Sequence, residues 1–198
     1  MSDPQEHQDQ ELRADCYLFL AGLLSQAPAQ EQLDALAHLT AEEAVDGALA
    51  KGWKSLSEAA RGAEAAVIED EFFNLFIGLG RGELVPFGSW YITGFLQEHP
   101  LADLRDSLRA FGLERVEGNP NTEDHIAQEL AVMATLIVNQ EKYSLERQQA
   151  FFEQHLAPWV ERFFSELSKA KSANFYRAIG QLGLAFYAFE KQYLSMPA

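Results

Sequence analysis

Apolar positions recur every three or four residues through most of the chain, the spacing of one face of an α-helix. Period-two alternation, the mark of a strand, has a hold only in a few residues around Leu84–Thr93. Leu12, Cys16, Phe19 and Leu23 form a first stripe, widened by Tyr17, Leu20 and Leu24. Weaker patterns follow between Gln30 and Arg61, through Leu33, Leu36 and Ala37 and then Val45 and Leu49. Ile68, Phe72, Leu75 and Phe76 mark a stronger face. Leu101, Leu104, Leu108 and Phe111 make the next, opened by Pro100 in a first-turn position and closed by Gly112 in a left-handed turn.

Thr122 is the expected N-cap of a helix whose buried stripe is Ile126, Leu130, Met133 and Ile137. Glu123 and Asp124 would complement its positive end. Phe152, Leu156, Trp159 and Phe163 repeat the spacing around Pro158, which should kink or restart the helix. The last helix reads Phe175, Ile179, Leu182, Phe186, Phe189 and Tyr193. Its Gly180 and Gly183 each weaken a helix by about 1 kcal/mol and point to close approach by a neighbouring helix. The pattern predicts an all-α fold: a single-domain helical bundle over 9–197, a frayed tail over 1–8, and irregular loops near 77–94 and 115–122, the second broken by Glu117–Asn121.

Composition narrows the function classes. The 198 residues carry 30 acids against 15 Lys plus Arg, a formal charge of −15. Such a body repels phosphate backbones and anionic lipid and attracts basic peptides, so nucleic acid and stable membrane insertion are not expected. The longest apolar runs fall far short of the ~20 residues that span a bilayer. No secretory leader is expected from the polar, acidic start, and the single Cys16, on an apolar stripe, suits a buried position in a reducing, cytoplasmic setting.

Catalytic motifs are missing. None of His7, His38, His99, His125 and His155 belongs to a di-iron or HExxH site, so no metal and no cofactor is expected. His125 and Glu129 stand four residues apart, a spacing that suits a hydrogen-bonded pair better than a metal site. Gly78-Leu-Gly80-Arg-Gly82 lacks the Gly-Lys-Ser/Thr ending of a phosphate loop, and Glu83 would repel phosphate; its glycines read as turn formers. No GxSxG elbow occurs, and the missing motifs lower the expectation of catalysis without excluding it.

Two loop segments are unusual for a plain bundle. Pro86-Phe87-Gly88-Ser89-Trp90-Tyr91 sets three aromatic rings in a Gly/Pro loop, which either line a groove or pin the loop to the core. Asp124-His125 falls at a helix start, where an imidazolium is disfavoured; local capping is the plain alternative.

Taken together, these segments resemble the TorD/DmsD/NarJ-like family of redox-enzyme maturation chaperones. Phe73-Asn-Leu-Phe-Ile-Gly78 followed by Pro86–Tyr91 is similar to the family's Leu-Phe-x-Gly and Pro-aromatic-x-Ser-x-aromatic segments. Asn121–Ile126 resembles its Glu-Pro-x-Asp-His motif, with Asn121 and Thr122 in place of Glu and Pro. His155-Leu-Ala-Pro-Trp159 and Asn174-Phe-Tyr-Arg177 are similar to its two later motifs. The ordered match covers roughly residues 70–185.

The resemblance implies an all-helical cytoplasmic chaperone without a catalytic cycle, not an enzyme. It would bind the twin-arginine signal peptide, the core, or both, of a molybdenum-cofactor oxidoreductase precursor, assist cofactor insertion and prevent premature export. It implies a peptide-binding set of Phe76, Pro86, Phe87, Ser89, Trp90, Tyr91, Asp124 and His125, with Asp124 a candidate partner for a peptide arginine. A monomer and a domain-swapped dimer are both open. Two other function classes stay open: a small-ligand binder, taking for example a guanine nucleotide, and a structural subunit of a helical complex.

Overall fold

The computed structural model describes residues 4–39, 47–115 and 118–196, with side chains from residue 8. Val45 and Glu117 lie outside the described residues. In chain order the helices are α1 (Pro4–Ser25), α2 (Gln30–Ala37), α3 (Ala48–Ala60), α4 (Ala65–Phe72), α5 (Gly88–Thr93), α6 (His99–Phe111), α7 (Ile126–Val138), α8 (Leu145–Phe151), α9 (Val160–Leu167) and α10 (Phe175–Leu194). Short π-helical turns extend α4 over Phe73–Ile77 and α8 over Phe152–Leu156. Helix α1 begins at Pro4, within the stretch expected as a tail. Part of the expected 77–94 loop is the short helix α5. Among the described residues there is one isolated β-bridge and no strand.

The chain forms two compact units, each visited twice. The first holds the chain up to Ser25 together with Pro86–Val160; the second holds Gln26–Val85 together with the chain from Glu161 on. Pro28, Pro86 and Pro158 stand at or near the three crossings, where a residue without an N–H interrupts helical hydrogen bonding. No composition shift marks such a division, because each unit is assembled from segments distant in sequence.

In the first unit α1 packs along α7. Helix α7 buries Ile126, Leu130, Met133 and Ile137 as its spacing predicts. Helix α1 departs from its predicted stripe. Leu12 is 57% exposed and Cys16 half-buried, while Arg13, Ala14, Tyr17, Leu20 and Leu24 face inward. The buried Arg13 guanidinium donates to Gln10 Oε1 at 2.6 Å and to Gln148 Oε1 at 3.4 Å, so this helix carries a polar seam within its core face.

In the second unit α10 packs on α3 and α4. Its small residues serve close contact, as expected. A Cβ on Gly180 would meet the Ser168 backbone, and one on Gly183 the Phe164 ring. The start of α10 is capped from α4. Glu71 Oε1 accepts from the N–H groups of Asn174 (2.8 Å) and Tyr176 (2.7 Å), and Oε2 from that of Phe175 (3.1 Å). A carboxylate there satisfies helix-end donors that would otherwise be orphaned and complements the dipole. Glu83, beyond the glycine turn, likewise accepts from Lys171 N–H at 2.6 Å and Ser172 N–H at 2.9 Å. Gly78 and Gly80 take positive φ values of 62° and 99°, the turn-forming role expected of them.

Candidate functional site

The two unusual loops of the first unit, 35 residues apart in sequence, are one construction. Phe87 and His125 form the antiparallel bridge. Gly88 N–H donates to Asp124 O at 2.8 Å and Ile126 N–H to Pro86 O at 2.9 Å. The Asp124 side chain completes the joint. Its Oδ2 accepts from Ser89 N–H at 3.0 Å and Ser89 Oγ at 2.5 Å, and its Oδ1 from Thr122 Oγ1 at 2.6 Å. Asp124 is 1% exposed and Ser89 0% exposed. Both carboxylate oxygens accept hydrogen bonds, Oδ2 from the Ser89 end of the Pro86–Ser89 segment and Oδ1 from Thr122.

This joint also moves the helix start. Thr122 does not cap α7: the cap is His125, three residues later, whose Nδ1 accepts from Ala127 N–H at 3.2 Å. Thr122 is spent on Asp124, and the Asp124 and Pro86 carbonyls are spent on the bridge. Capping through Nδ1 requires the neutral ring. Burial lowers the His125 pKa to about 4, against a small opposing pull from Asp124. The expected His125–Glu129 side-chain pair does not form. Glu129 Oε2 instead accepts from Trp159 Nε1 at 3.3 Å, and burial pushes the Glu129 carboxyl well above the ordinary range, with the Asp124 charge adding to it.

A pH prediction follows from the cap. Because the folded His125 pKa lies below its ordinary 6.5, protons favour the unfolded chain as pH falls from about 6.5 towards about 4. Stability should fall through that window by about 2–4 kcal/mol from this group. His155, also lowered to about 4 by burial, adds the same sign, whereas Glu129 opposes it. His125→Asn keeps a capping acceptor and removes the titration. Its urea-unfolding free energy should therefore fall less between pH 7 and pH 4.5 than that of the wild type; equal slopes would exclude the buried neutral imidazole.

The aromatic residues divide. Pro86 is buried, while Phe87, Trp90 and Tyr91 are half-buried. The Phe87 ring meets His125 edge-on with centroids 5.0 Å apart, and Tyr91 lies 5.4 Å from Trp159. The rings thus serve partly to pin the loop and partly remain open to solvent. Phe76 belongs to the second unit, half-buried among Phe72, Phe163 and Tyr176.

Beside the joint lies a pocket of about 210 Å³. Buried Gly88, Asp124, Glu129 and His155 line it, as do exposed Asp103, His99 and Gln154. His155 Nε2 is 2.8 Å from Ser107 Oγ. A Cβ at Gly88 would stand 2.9 Å from Glu129 Oε1 and 3.1 Å from Trp159 Nε1, so glycine lets the loop settle against these groups. Among the described residues no group of three or more His, Cys, Asp and Glu is arranged to hold a metal ion.

Sequence spacing missed the stretch after α5. Gly94 ends that helix at φ 82°, and Gln97 takes φ 61°, a left-handed conformation that strains a side-chain-bearing residue by roughly 1–3 kcal/mol. Gln97 N–H donates to Ser89 Oγ at 3.1 Å, and Thr93 Oγ1 donates to Phe95 O at 3.1 Å. The turn so held leaves Ile92 42%, Phe95 68% and Leu96 50% exposed. A glycine followed by Phe-Leu carries no periodic signal; only the adjacency to the aromatic loop could have drawn attention to it.

Helical architecture, the paired loops and the four ordered motifs define a class, and comparison with known proteins identifies it. A sequence profile described as "Nitrate reductase delta subunit" matches residues 42–165, and the chain belongs to that family, the TorD/DmsD/NarJ-like redox-enzyme maturation chaperones. Among individual relatives, the chain is 28% identical to "Chaperone protein TorD" of Vibrio atlanticus over 93% of its own length and 95% of the relative's. It is 33% identical to the Vibrio cholerae protein of the same name over 63% of this chain and 60% of that one. A crystal structure titled a putative redox enzyme maturation protein, from Archaeoglobus fulgidus, superposes with a TM-score of 0.56 at 19% identity, covering 91% and 94% of the two chains. That likeness supports the helical fold. No helix among the described residues is long and apolar enough to cross a membrane.

Proposed function

We propose that the protein is a cytoplasmic chaperone without a catalytic cycle of its own. Its client is the precursor of a molybdenum-cofactor oxidoreductase, engaged through the twin-arginine signal peptide, the core, or both, until cofactor insertion is complete. The observation that carries this reading is the joint itself. Two segments distant in sequence are locked together by backbone pairing and by Asp124, and the lock holds half-buried rings beside a carboxyl-lined pocket.

Each part suits such a ligand. A twin-arginine leader has a cationic segment followed by a short apolar one. The −15 charge speeds its capture, and aromatic surface takes up its apolar side chains. Phe87, Trp90 and Tyr91 supply rigid apolar contact, and Pro86, Ser89, Asp124 and His125 hold them in place; Phe76 is a half-buried ring of the second unit. Since a ring in a binding surface is worth on the order of 1–2 kcal/mol or more, Tyr91→Ala should weaken leader binding about tenfold. Calorimetric titration of the full chain with a synthetic twin-arginine leader tests this. Saturable one-to-one binding that weakens in Tyr91→Ala supports it; no binding, or an unchanged variant, rejects it.

A further inference from the structure

We propose that the segment joining α5 to α6, residues 94–98, is a latched lid over the cavity beside the joint. In the open arrangement a hydrogen bond to Ser89 holds Gln97 left-handed and keeps Phe95 and Leu96 outward. Released, the lid swings those side chains onto the rim of the cavity. The inference concerns the free chain and does not depend on the client.

The lid has fixed ends and two hinges. Helix α5 ends at Thr93 and α6 begins at His99, and Ile92 and His99 both line the cavity. Gly94 takes φ 82°, and a Cβ there would meet nothing within 4 Å, so this end of the lid turns in open space. Gln97 takes φ 61° while carrying a side chain, an arrangement that persists only where neighbouring contacts enforce it. Loop and element-terminal positions such as these absorb the dihedral changes of a moving segment.

The enforcing contact is the Gln97 N–H, which donates to Ser89 Oγ at 3.1 Å. The acceptor is itself fixed, because Ser89 is fully buried and its hydroxyl donates to Asp124 Oδ2. On the other side of the tip, Thr93 Oγ1 accepts from Phe95 N–H at 3.1 Å. Left-handed strain disfavours the open lid about fivefold or more, and the hydrogen bond opposes it by a comparable factor.

Apolar surface supplies the pull towards closure. Phe95 is the most exposed large apolar side chain described in the first unit, with Leu96 and Ile92 beside it. An exposed apolar cluster of this kind marks a surface that another arrangement or partner covers. The cavity offers that cover within the chain. Buried Asp124, Glu129 and His155 form its floor, while Ile92, Pro100 and Pro158 give its mouth an apolar edge. Its volume of about 210 Å³ exceeds the roughly 150 Å³ that accepts a benzene molecule, so a phenyl ring fits across the mouth. Covering the Phe95 ring favours closure on the order of tenfold. Strain and burial on one side and the latch on the other leave two arrangements close in free energy, the condition for a switch. Closed, the lid shields the cavity face of the joint at Gly88 and Asp124.

Thiol labelling of the full chain tests the lid. In a Cys16→Ser background, Gln154→Cys places one reactive group on the exposed rim of the cavity without altering the lid. Ser89→Ala removes the latch acceptor. Gln97→Pro removes the donor and forbids the left-handed turn while leaving the Ser89–Asp124 bond in place, so it remains informative if Ser89→Ala disturbs the joint. Each should slow labelling about fivefold or more, because the thiol is then covered most of the time. Adding Phe95→Ser with Leu96→Ser should restore the original rate. Slowing in either latch variant that the serines reverse supports the lid. Unchanged or faster labelling in both latch variants, or slowing that survives the serines, overturns it; the chaperone reading rests on leader titration and is untouched by either result.

Discussion

Asp124→Ala should loosen the joint and release the leader together. The substitution strips the acceptor from two buried donors, Ser89 N–H and Ser89 Oγ, and from Thr122 Oγ1. Orphaned buried donors each cost about 1–3 kcal/mol, so the expected loss of stability is about 2–4 kcal/mol, read as a lower urea midpoint with an unchanged slope. Leader affinity should fall at least about tenfold, because the loop carrying Phe87 and Tyr91 is no longer fixed. Ser89→Ala removes one of these bonds and should produce a smaller loss of the same kind. A variant as stable as the wild type would show that the backbone bridge alone holds the loop.

Removing the Glu71 carboxylate should be as damaging in the second unit. Glu71→Ala leaves three N–H groups at the start of α10 without an acceptor, two of them on Phe175 and Tyr176, which are 1% and 0% exposed. Water cannot replace the cap at such positions, so the expected destabilisation is about 2–4 kcal/mol. Glu71→Gln keeps one acceptor oxygen and should recover part of it. Chemical denaturation of the three proteins decides the order; equal midpoints would mean that the cap contributes nothing.

Much of the fold was written in periodicity. Leu101, Leu104 and Leu108 of α6 and the whole predicted stripe of α7 face inward as spaced, while Val138, off the α7 stripe, emerges 66% exposed. In α10 the forward part follows its stripe, while Phe189 emerges 43% exposed. Helix α1 has apolar residues around most of its circumference, so spacing alone does not choose a face. A buried Arg13 bound to two amides looks, in sequence, like a solvent-facing position. The two-unit organisation leaves no trace in composition because each unit is stitched from two segments.

The site was legible as segments and not as a geometry. Pro86–Tyr91 and Asp124–His125 stood out by residue type, yet their pairing is a long-range backbone contact that no local pattern encodes. The same pairing shifted the cap from Thr122 to His125, since it drew the side chains that local rules would assign to the helix end into the joint. Glu129 was expected to reach His125, its neighbour one turn away. Trp159 intervenes through the tertiary fold.

Hydrogen exchange measured on the full chain with and without a twin-arginine leader tests the central claim most directly. Slowed exchange of backbone amides confined to the aromatic loop, the turn following it and the Asn121–Glu129 segment is the result expected of a leader held against the joint. Protection absent there, or gathered on α3 and α10 instead, would contradict it.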